Sequence, residues 1–307
     1  MRKMMPVKVT FLGTAAGIPT PERGLPAVLL DFDGEHLLLD CGEGTQRTML
    51  QLGFGLCRRM RIFITHLHGD HVFGMPGMIQ TMNLLNRAHP LEVYGPPGLK
   101  DFLERSTFSM MSEPVFPIKV HEVQQGMVLS CKGYKVEAAW ADHAVPNLAY
   151  RFEFGGSAGR FRPSKAEALG IPEGPLRSEL KDGRSVQLPN GSIVNPADVL
   201  SEPVSGIAVV YTGDTRRCKG VLELAKEADL LIHEATFGSD LVDYAAQQGH
   251  STAADAAEVA KDAHVKKLIM THISARYSDS GTLLREAKAI FADADVATDL
   301  AHYTLKS

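Results

Sequence analysis

The stretch Thr65-His-Leu-His-Gly-Asp-His71 places three histidines and one aspartate within six positions. In an extended segment the side chains of His66 and His68 fall on one side, so both imidazoles can meet a single cation, while Asp70 and His71 turn away at the start of a helix and can meet a second. A single histidine after a strand is ordinarily a core or surface residue. Four ligand-type groups this close are costly to cluster without a cation to satisfy them.

Two cations need further ligands, and they stand at strand ends. Asp142-His143 follows a strand ending in Trp140, Asp214 follows Val209-Val-Tyr-Thr-Gly213, and His272 follows Leu268-Ile-Met-Thr271. Each alone reads as a turn residue or loop cap. Together they allow three residues for one cation, three for the other and one bridging carboxylate, with room for a shared water. Nitrogen and carboxylate donors without thiolate suit Zn2+ and tolerate Mn2+. A water between two such cations, about 3.5–4 Å apart, ionises near neutral pH, so the expected chemistry is hydrolysis.

The elements that must position these groups are β-rich at first: strands at Val7 to Leu12, Ala27 to Phe32 and His36 to Asp40, the last two joined by an Asp33-Gly34 turn, then Ile62 to Thr65 running into the motif. Helical spacing is predicted over Thr45 to Leu52, Met75 to Asn86 and Leu99 to Met111, and further strands at Leu91 to Tyr94, Ile118 to Val123, Val128 to Ala139 and Leu148 to Phe154. Strand and helix then alternate from Ile207 to Phe291. Two sheets stacked face to face with helices outside fit this α/β order. Gly155 to Pro203, rich in glycine and proline and basic from Arg160 to Arg184, reads as a long irregular insertion; it is either a solvated surface loop or an arm that touches a polyanion.

Bulk composition narrows little more. The 307 residues, 44% of them hydrophobic, allow one to three domains, and a formal charge of −4 requires any nucleic-acid contact to come from local clusters. Cys41, Cys57, Cys131 and Cys218 form no CxxC pair, which argues against a disulfide framework and a thiolate zinc site and fits a reducing cytoplasm. Neither a signal peptide nor a membrane span is expected, because Lys8, Thr10 and Gly13 interrupt the apolar stretch after the basic start. Arg58, Arg59 and Arg61 read as a solvated strand start.

The set His66-x-His68-x-Asp70-His71, His143, Asp214 and His272 resembles the metallo-β-lactamase superfamily, and over nearly the whole chain the sequence is similar to its ribonuclease Z family. The words that carry the likeness include Asp40-Cys-Gly-Glu-Gly-Thr-Gln46, Tyr211-Thr-Gly-Asp-Thr215, His233-Glu-Ala-Thr-Phe237, His250-Ser-Thr252 and Thr271-His-Ile-Ser-Ala-Arg-Tyr277, and Gly170-x-Pro172-x-Gly174-Pro175 resembles that family's flexible-arm motif. The resemblance implies a four-layered αββα sandwich over residues 1–307, with 155–203 as an inserted substrate-binding arm. It also implies His66, His68 and His143 on one zinc, Asp70, His71 and His272 on the other, and Asp214 bridging.

The activity so implied is removal of 3′ trailers from precursor tRNA by a homodimer. His250 is then the candidate acid for the leaving ribose oxygen, Glu234 the carboxylate that keeps it protonated, Asp70 a further proton acceptor, and Arg276 a ligand for the substrate phosphate. Where the family carries proline-x-lysine-x-arginine-asparagine, this chain reads Pro19-Thr-Pro21-Glu-Arg23-Gly24. That departure carries the expectation that cutting is not tied to the discriminator base and extends to positions after an encoded CCA. The rival readings are a small-molecule phosphodiesterase or thioester hydrolase using the same metal cluster, and an RNA-binding protein with a vestigial one.

Overall fold

In the computed structural model, which describes residues 5–107, 114–157, 159, 161–201 and 204–306, the side-chain alternation of each strand divides its apolar residues between two cores. Along Ala27–Phe32, Val28, Leu30 and Phe32 enter one cluster while Ala27 and Leu29 enter another. Leu37 and Leu39 part from Leu38 in the same way, and Phe63 from Ile62, as a two-residue repeat requires. These strands are buried on both faces.

Three cores therefore separate four layers. The first sheet runs His302–Leu305, Val7–Gly13, Ala27–Phe32, Glu35–Leu39, Met60–Phe63, Leu91–Gly95, Ile118–Glu122; the second runs Ala294–Val296, Leu268–Thr271, Leu230–Glu234, Val204–Tyr211, Asn147–Ser157, Tyr134–Ala141, Gly126–Cys131. Between them lie Phe11, Phe63, Phe152, Val209 and Ile232. Helices Thr45–Gln51, Gly74–Leu84 and Leu99–Ser106 cover the outer face of the first sheet, and Lys219–Ala225, Ala253–Asp262 and Gly281–Ile290 that of the second. This is the expected αββα sandwich. Each fully buried Leu or Phe contributes about 1.5–3 kcal/mol, so the sheets hold the loops at their ends firmly.

Those ends matter because the neighbouring strands from Glu35–Leu39 to Ile118–Glu122 are parallel, as are those from Val204–Tyr211 to Ala294–Val296. In open parallel sheets, loops at the carboxyl ends form the binding crevice. Here a short parallel pairing of Ala15–Ala16 with Ile273–Ser274 links the two sheets beside that crevice.

Three expectations change. The single strand read over Val128 to Ala139 is a hairpin, Gly126–Cys131 with Tyr134–Ala141, turning at Lys132-Gly133. The insertion is not irregular: helices Pro163–Ala168, Pro175–Lys181 and Pro196–Val199 and a hairpin of Val186–Gln187 with Ile193–Val194 enclose Ala166, Ile171, Leu180, Val186, Leu188, Val194 and Val199. A proline opens each of these helices, where its fixed φ and missing N–H cost nothing. The segment leaves Asn147–Ser157 and returns through the antiparallel neighbour Val204–Tyr211, so it elaborates one hairpin end. Finally, Arg61 is half-buried in ion pairs with Glu35 and Glu92, whereas Arg58 and Arg59 are exposed as expected. Met111, Arg160 and Pro203, which bound earlier expectations, lie outside the described residues. Among the described residues no helix is long and apolar enough to cross a membrane.

Candidate metal centre and active site

All seven expected ligands converge at the carboxyl edge of the sheets. His66 and His68 leave the strand Met60–Phe63, and Asp70 and His71 lie in the turn of helix Gly69–Val72 that follows. His143 comes from the loop between Tyr134–Ala141 and Asn147–Ser157, Asp214 from the loop after Val204–Tyr211, and His272 from the residue after Leu268–Thr271. His272 holds φ at 58°, a region non-glycine residues enter only when the surroundings enforce it.

The groups form one set of His66, His68, His143 and Asp214 and another of Asp70, His71 and His272, whose two histidines also face Asp214; His250 lies close to Asp214 and His272 as well. In one, His68 Nδ1 lies 3.1 Å from His66 Nε2 and 3.3 Å from His143 Nε2, and His66 Nε2 is 3.6 Å from Asp214 Oδ2. In the other, Asp214 Oδ1 lies 3.4 Å from His71 Nε2 and 3.3 Å from His272 Nε2, each of which is 3.5 Å from Asp70 Oδ2. A tetrahedral cation with bonds of about 2.0–2.1 Å puts its ligand atoms about 3.3–3.4 Å apart. The observed spacings bracket that edge. His71 Nε2, His272 Nε2 and Asp214 Oδ1 are buried without a hydrogen-bond partner, a costly arrangement that a shared cation would relieve.

Neighbouring hydrogen bonds fix which nitrogen of each ring is free. His71 Nδ1 donates to Asp40 Oδ2 at 2.7 Å and His143 Nδ1 to the Gly249 carbonyl at 2.8 Å. Thr65 Oγ1 gives its proton to Asp40 and so accepts from His66 Nδ1 at 3.0 Å; Thr236 Oγ1 gives its own to Glu234 and accepts from His272 Nδ1 at 2.8 Å. All four rings therefore turn an Nε2 lone pair inward, the orienting arrangement found around metal-ligating histidines.

Electrostatics follow from the same contacts. Burial works against a charged His71, but Asp214 and Asp40 carry its pKa well above the ordinary value. A cation must displace that proton, so metal affinity rises with pH. Burial opposes ionisation of Asp70 as well, yet the neighbouring His272 and His71 rings hold it well below the usual carboxylate range; the Gly17 N–H donates to its Oδ2 at 3.0 Å. For His250, burial lowers the pKa and Glu234 more than reverses this, bringing it to about 9. Glu234 Oε1 accepts from His250 Nδ1 at 2.9 Å and from Thr215 N at 2.8 Å.

A cavity of 570 Å³ opens over these groups, walled by Gly17, Ile18, His250, Phe237 and Arg276. The expected acid and the expected phosphate ligand thus line one space, with Glu234 buried behind His250. Sequence reasoning missed Asp40, Tyr211 and Thr236. Asp40 is fully buried at φ 56° and also accepts from Thr65 N and Tyr211 Oη, both at 2.8 Å. Its signal was available, since it ends the strand beside the motif strand and opens one of the family-like words. Arg23 points inward, donating to Thr14 Oγ1 and the Ala297 carbonyl at 2.6 Å, and so braces the loop that carries Gly17.

Comparison with known proteins agrees with this architecture. Residues 7–152 match the family model described as anti-Pycsar protein Apyc1, and residues 183–273 that of the beta-lactamase superfamily domain. A ribonuclease Z of Methanothermobacter thermautotrophicus is 45% identical over 98% of this chain and 97% of its own, and one of Trichodesmium erythraeum 41% identical over 97% and 95%. The crystal structure of the short form of human tRNase Z superposes with a TM-score of 0.69 at 31% identity, covering 96% of this chain and 98% of that one. Likeness of this degree, running through both sheets and the insertion within the second, makes the chain a member of the ribonuclease Z family within the metallo-β-lactamase superfamily.

Proposed function

We propose that this protein is a zinc-dependent endoribonuclease that removes the 3′ trailer from precursor tRNA, leaving a 3′-hydroxyl on the tRNA and a 5′-phosphate on the trailer. One observation carries the reading: in a chain of the ribonuclease Z family, His66, His68 and His143 gather with Asp214, whose other oxygen faces His71 and His272, and these two in turn flank Asp70. Two zinc ions there, or Mn2+ on the same donors, would supply Lewis acidity and a water that ionises near neutral pH.

The protein's own groups do the rest. Asp214 spans both sets, and Asp70, its Oδ2 steadied by the Gly17 N–H, is the further proton acceptor through its other oxygen. His250, kept charged by Glu234, gives a proton to the departing ribose 3′-oxygen, and Arg276 directs its planar fork to a phosphate oxygen. Residues 155–203 form the arm that holds the tRNA body, through cations such as Arg162, Lys165 and Lys181. Family membership supports a homodimer in which one subunit's arm serves the other's site, and four free thiols support a cytoplasmic setting.

Stripping the metal and mapping both ends made from a precursor with a 3′ trailer tests this. Cleavage should vanish, return with about two zinc ions per subunit, and give a trailer with a 5′-phosphate. Undiminished cutting by the metal-free protein, or a 5′-hydroxyl trailer, would overturn the reading. A second precursor with an encoded CCA fixes where the cut falls relative to it.

A further inference from the structure

Arg276 stands at the rim of the active-site cavity and, among the described residues, makes no ion pair. Its guanidinium has one long hydrogen bond, from Nη1 to Ser274 Oγ at 3.4 Å. It is held instead by two aromatic rings, 5.8 Å from the centroid of Phe237 and 5.5 Å from that of Tyr244. The rings meet edge to face, 5.3 Å apart at 83°, and so form a corner. Phe237 is the buried side; Tyr244, partly exposed on helix Val242–Gln248, is the outer side.

The kind of partner matters. A carboxylate would orient the guanidinium but neutralise it and occupy a pair of its N–H groups. An aromatic face attracts the cation through its quadrupole and consumes no N–H donor. Arg276 is thus aimed while its charge and its fork stay available for an anion. We propose that Tyr244 is a positioning residue for the substrate phosphate: with Phe237 it fixes the Arg276 guanidinium at the mouth of the cavity without neutralising it. This rests on the reading that Arg276 meets the phosphate of the RNA.

The test uses the metal-loaded enzyme and precursor tRNA, comparing Tyr244→Leu, Tyr244→Phe, Arg276→Ala and the Tyr244→Leu/Arg276→Ala pair. Leucine keeps apolar bulk without a π face, and phenylalanine keeps the face without the hydroxyl. Tyr244→Leu should raise KM about two- to fivefold, the worth of an exposed cation–π contact, with kcat moving less, and Tyr244→Phe should restore it. In the Arg276→Ala background the leucine change should add almost nothing, because the partner it positions is gone. Equal increments with and without Arg276, or a phenylalanine variant no better than leucine, overturn the role of Tyr244. If Arg276→Ala itself leaves KM unmoved, it is the phosphate reading of Arg276 that fails.

Discussion

Glu234→Gln separates a charged acid from a merely hydrogen-bonded histidine. With Glu234 ionised, His250 titrates at about 9 against an ordinary 6.5. The glutamine removes the main charge responsible and leaves the burial that opposes protonation, with the weaker effects of Asp214 and His71 opposed to each other, so the pKa should fall to about 6.5 or below. At pH 8 the protonated fraction then drops from about nine-tenths to about three-hundredths, a loss of about 30-fold in the rate of the step that needs the acid; at pH 6 the loss is under about 1.5-fold. Glutamine also cannot accept from both Thr215 N and Thr236 Oγ1 with both ends, so some activity disappears at every pH and the shape of the profile is the quantity to read. Nearby cations lower both variants' limbs in the same direction, which leaves their separation as the measure. Single-turnover cleavage should be followed from pH 5.5 to 9.5 at saturating zinc. The wild type should lose activity as pH rises through the folded pKa of His250, and the variant well before it. The stabilisation from the raised pKa has the same sign: it is complete below 6.5 and lost as pH rises through about 9. Two parallel profiles, displaced only in height, would refute His250 as the acid.

Asp40→Asn deprives His71 Nδ1, Tyr211 Oη and Thr65 of a shared carboxylate; zinc titration should find the His71 site weakened about 10–100-fold and the His66 site, which Asp40 reaches only through Thr65 Oγ1, weakened less. Equal weakening of both would contradict the direct support of His71 by Asp40. Gly249→Ala forces an L side chain onto φ 86° with its Cβ 2.9 Å from His143 Nδ1. It should cost about 1–2 kcal/mol of stability and loosen metal at the His66, His68 and His143 set; unchanged stability and binding would show that the Gly249 carbonyl does not orient His143. Joining Asn147–Ser157 to Val204–Tyr211 by a short turn removes the insertion between antiparallel neighbours. Precursor tRNA cleavage should fall at least about tenfold through lost phosphate contacts, with hydrolysis of a small chromogenic diester falling far less. Equal losses on both substrates would make the insertion part of the scaffold rather than an RNA arm.

What the sequence discloses depends on how local each feature is. His66 to His71 are neighbours in the chain, so their spacing exposes the metal chemistry, and nearly continuous apolar strands such as Ala27–Phe32 declare two-sided burial. The insertion conceals its order because its core is built from Ala166, Ile171, Leu180, Val186, Leu188, Val194 and Val199, single apolar residues too widely spaced to set a period. The Lys132-Gly133 turn is hidden by apolar residues on both sides. Strands Ala294–Val296 and His302–Leu305 are too short to stand out and exist through partners far away in the chain, Leu268–Thr271 and Val7–Gly13. Asp40 escaped for a related reason: an aspartate at a strand end is ordinary until His71 and Tyr211 are seen to share it.

Helix Val242–Gln248, seven residues long, has no sequence signature and sits at the centre of the chemistry. Tyr244 projects from it to Arg276, the Gly249 carbonyl at its end accepts a hydrogen bond from His143 Nδ1, and His250 follows at once. Arg216, two residues beyond Asp214, ties it down through Nε to the Ala246 carbonyl at 2.5 Å and joins it to Asp142 through Nη1 at 3.1 Å. The aromatic support of the proposed phosphate ligand, one orienting bond of the metal set and the candidate acid thus ride on one short element. An element of this length is not stable alone and keeps its place through such ties. Displacing it would misalign all three functions together, so a substitution at this helix that disturbed only one of them must act through its own side chain.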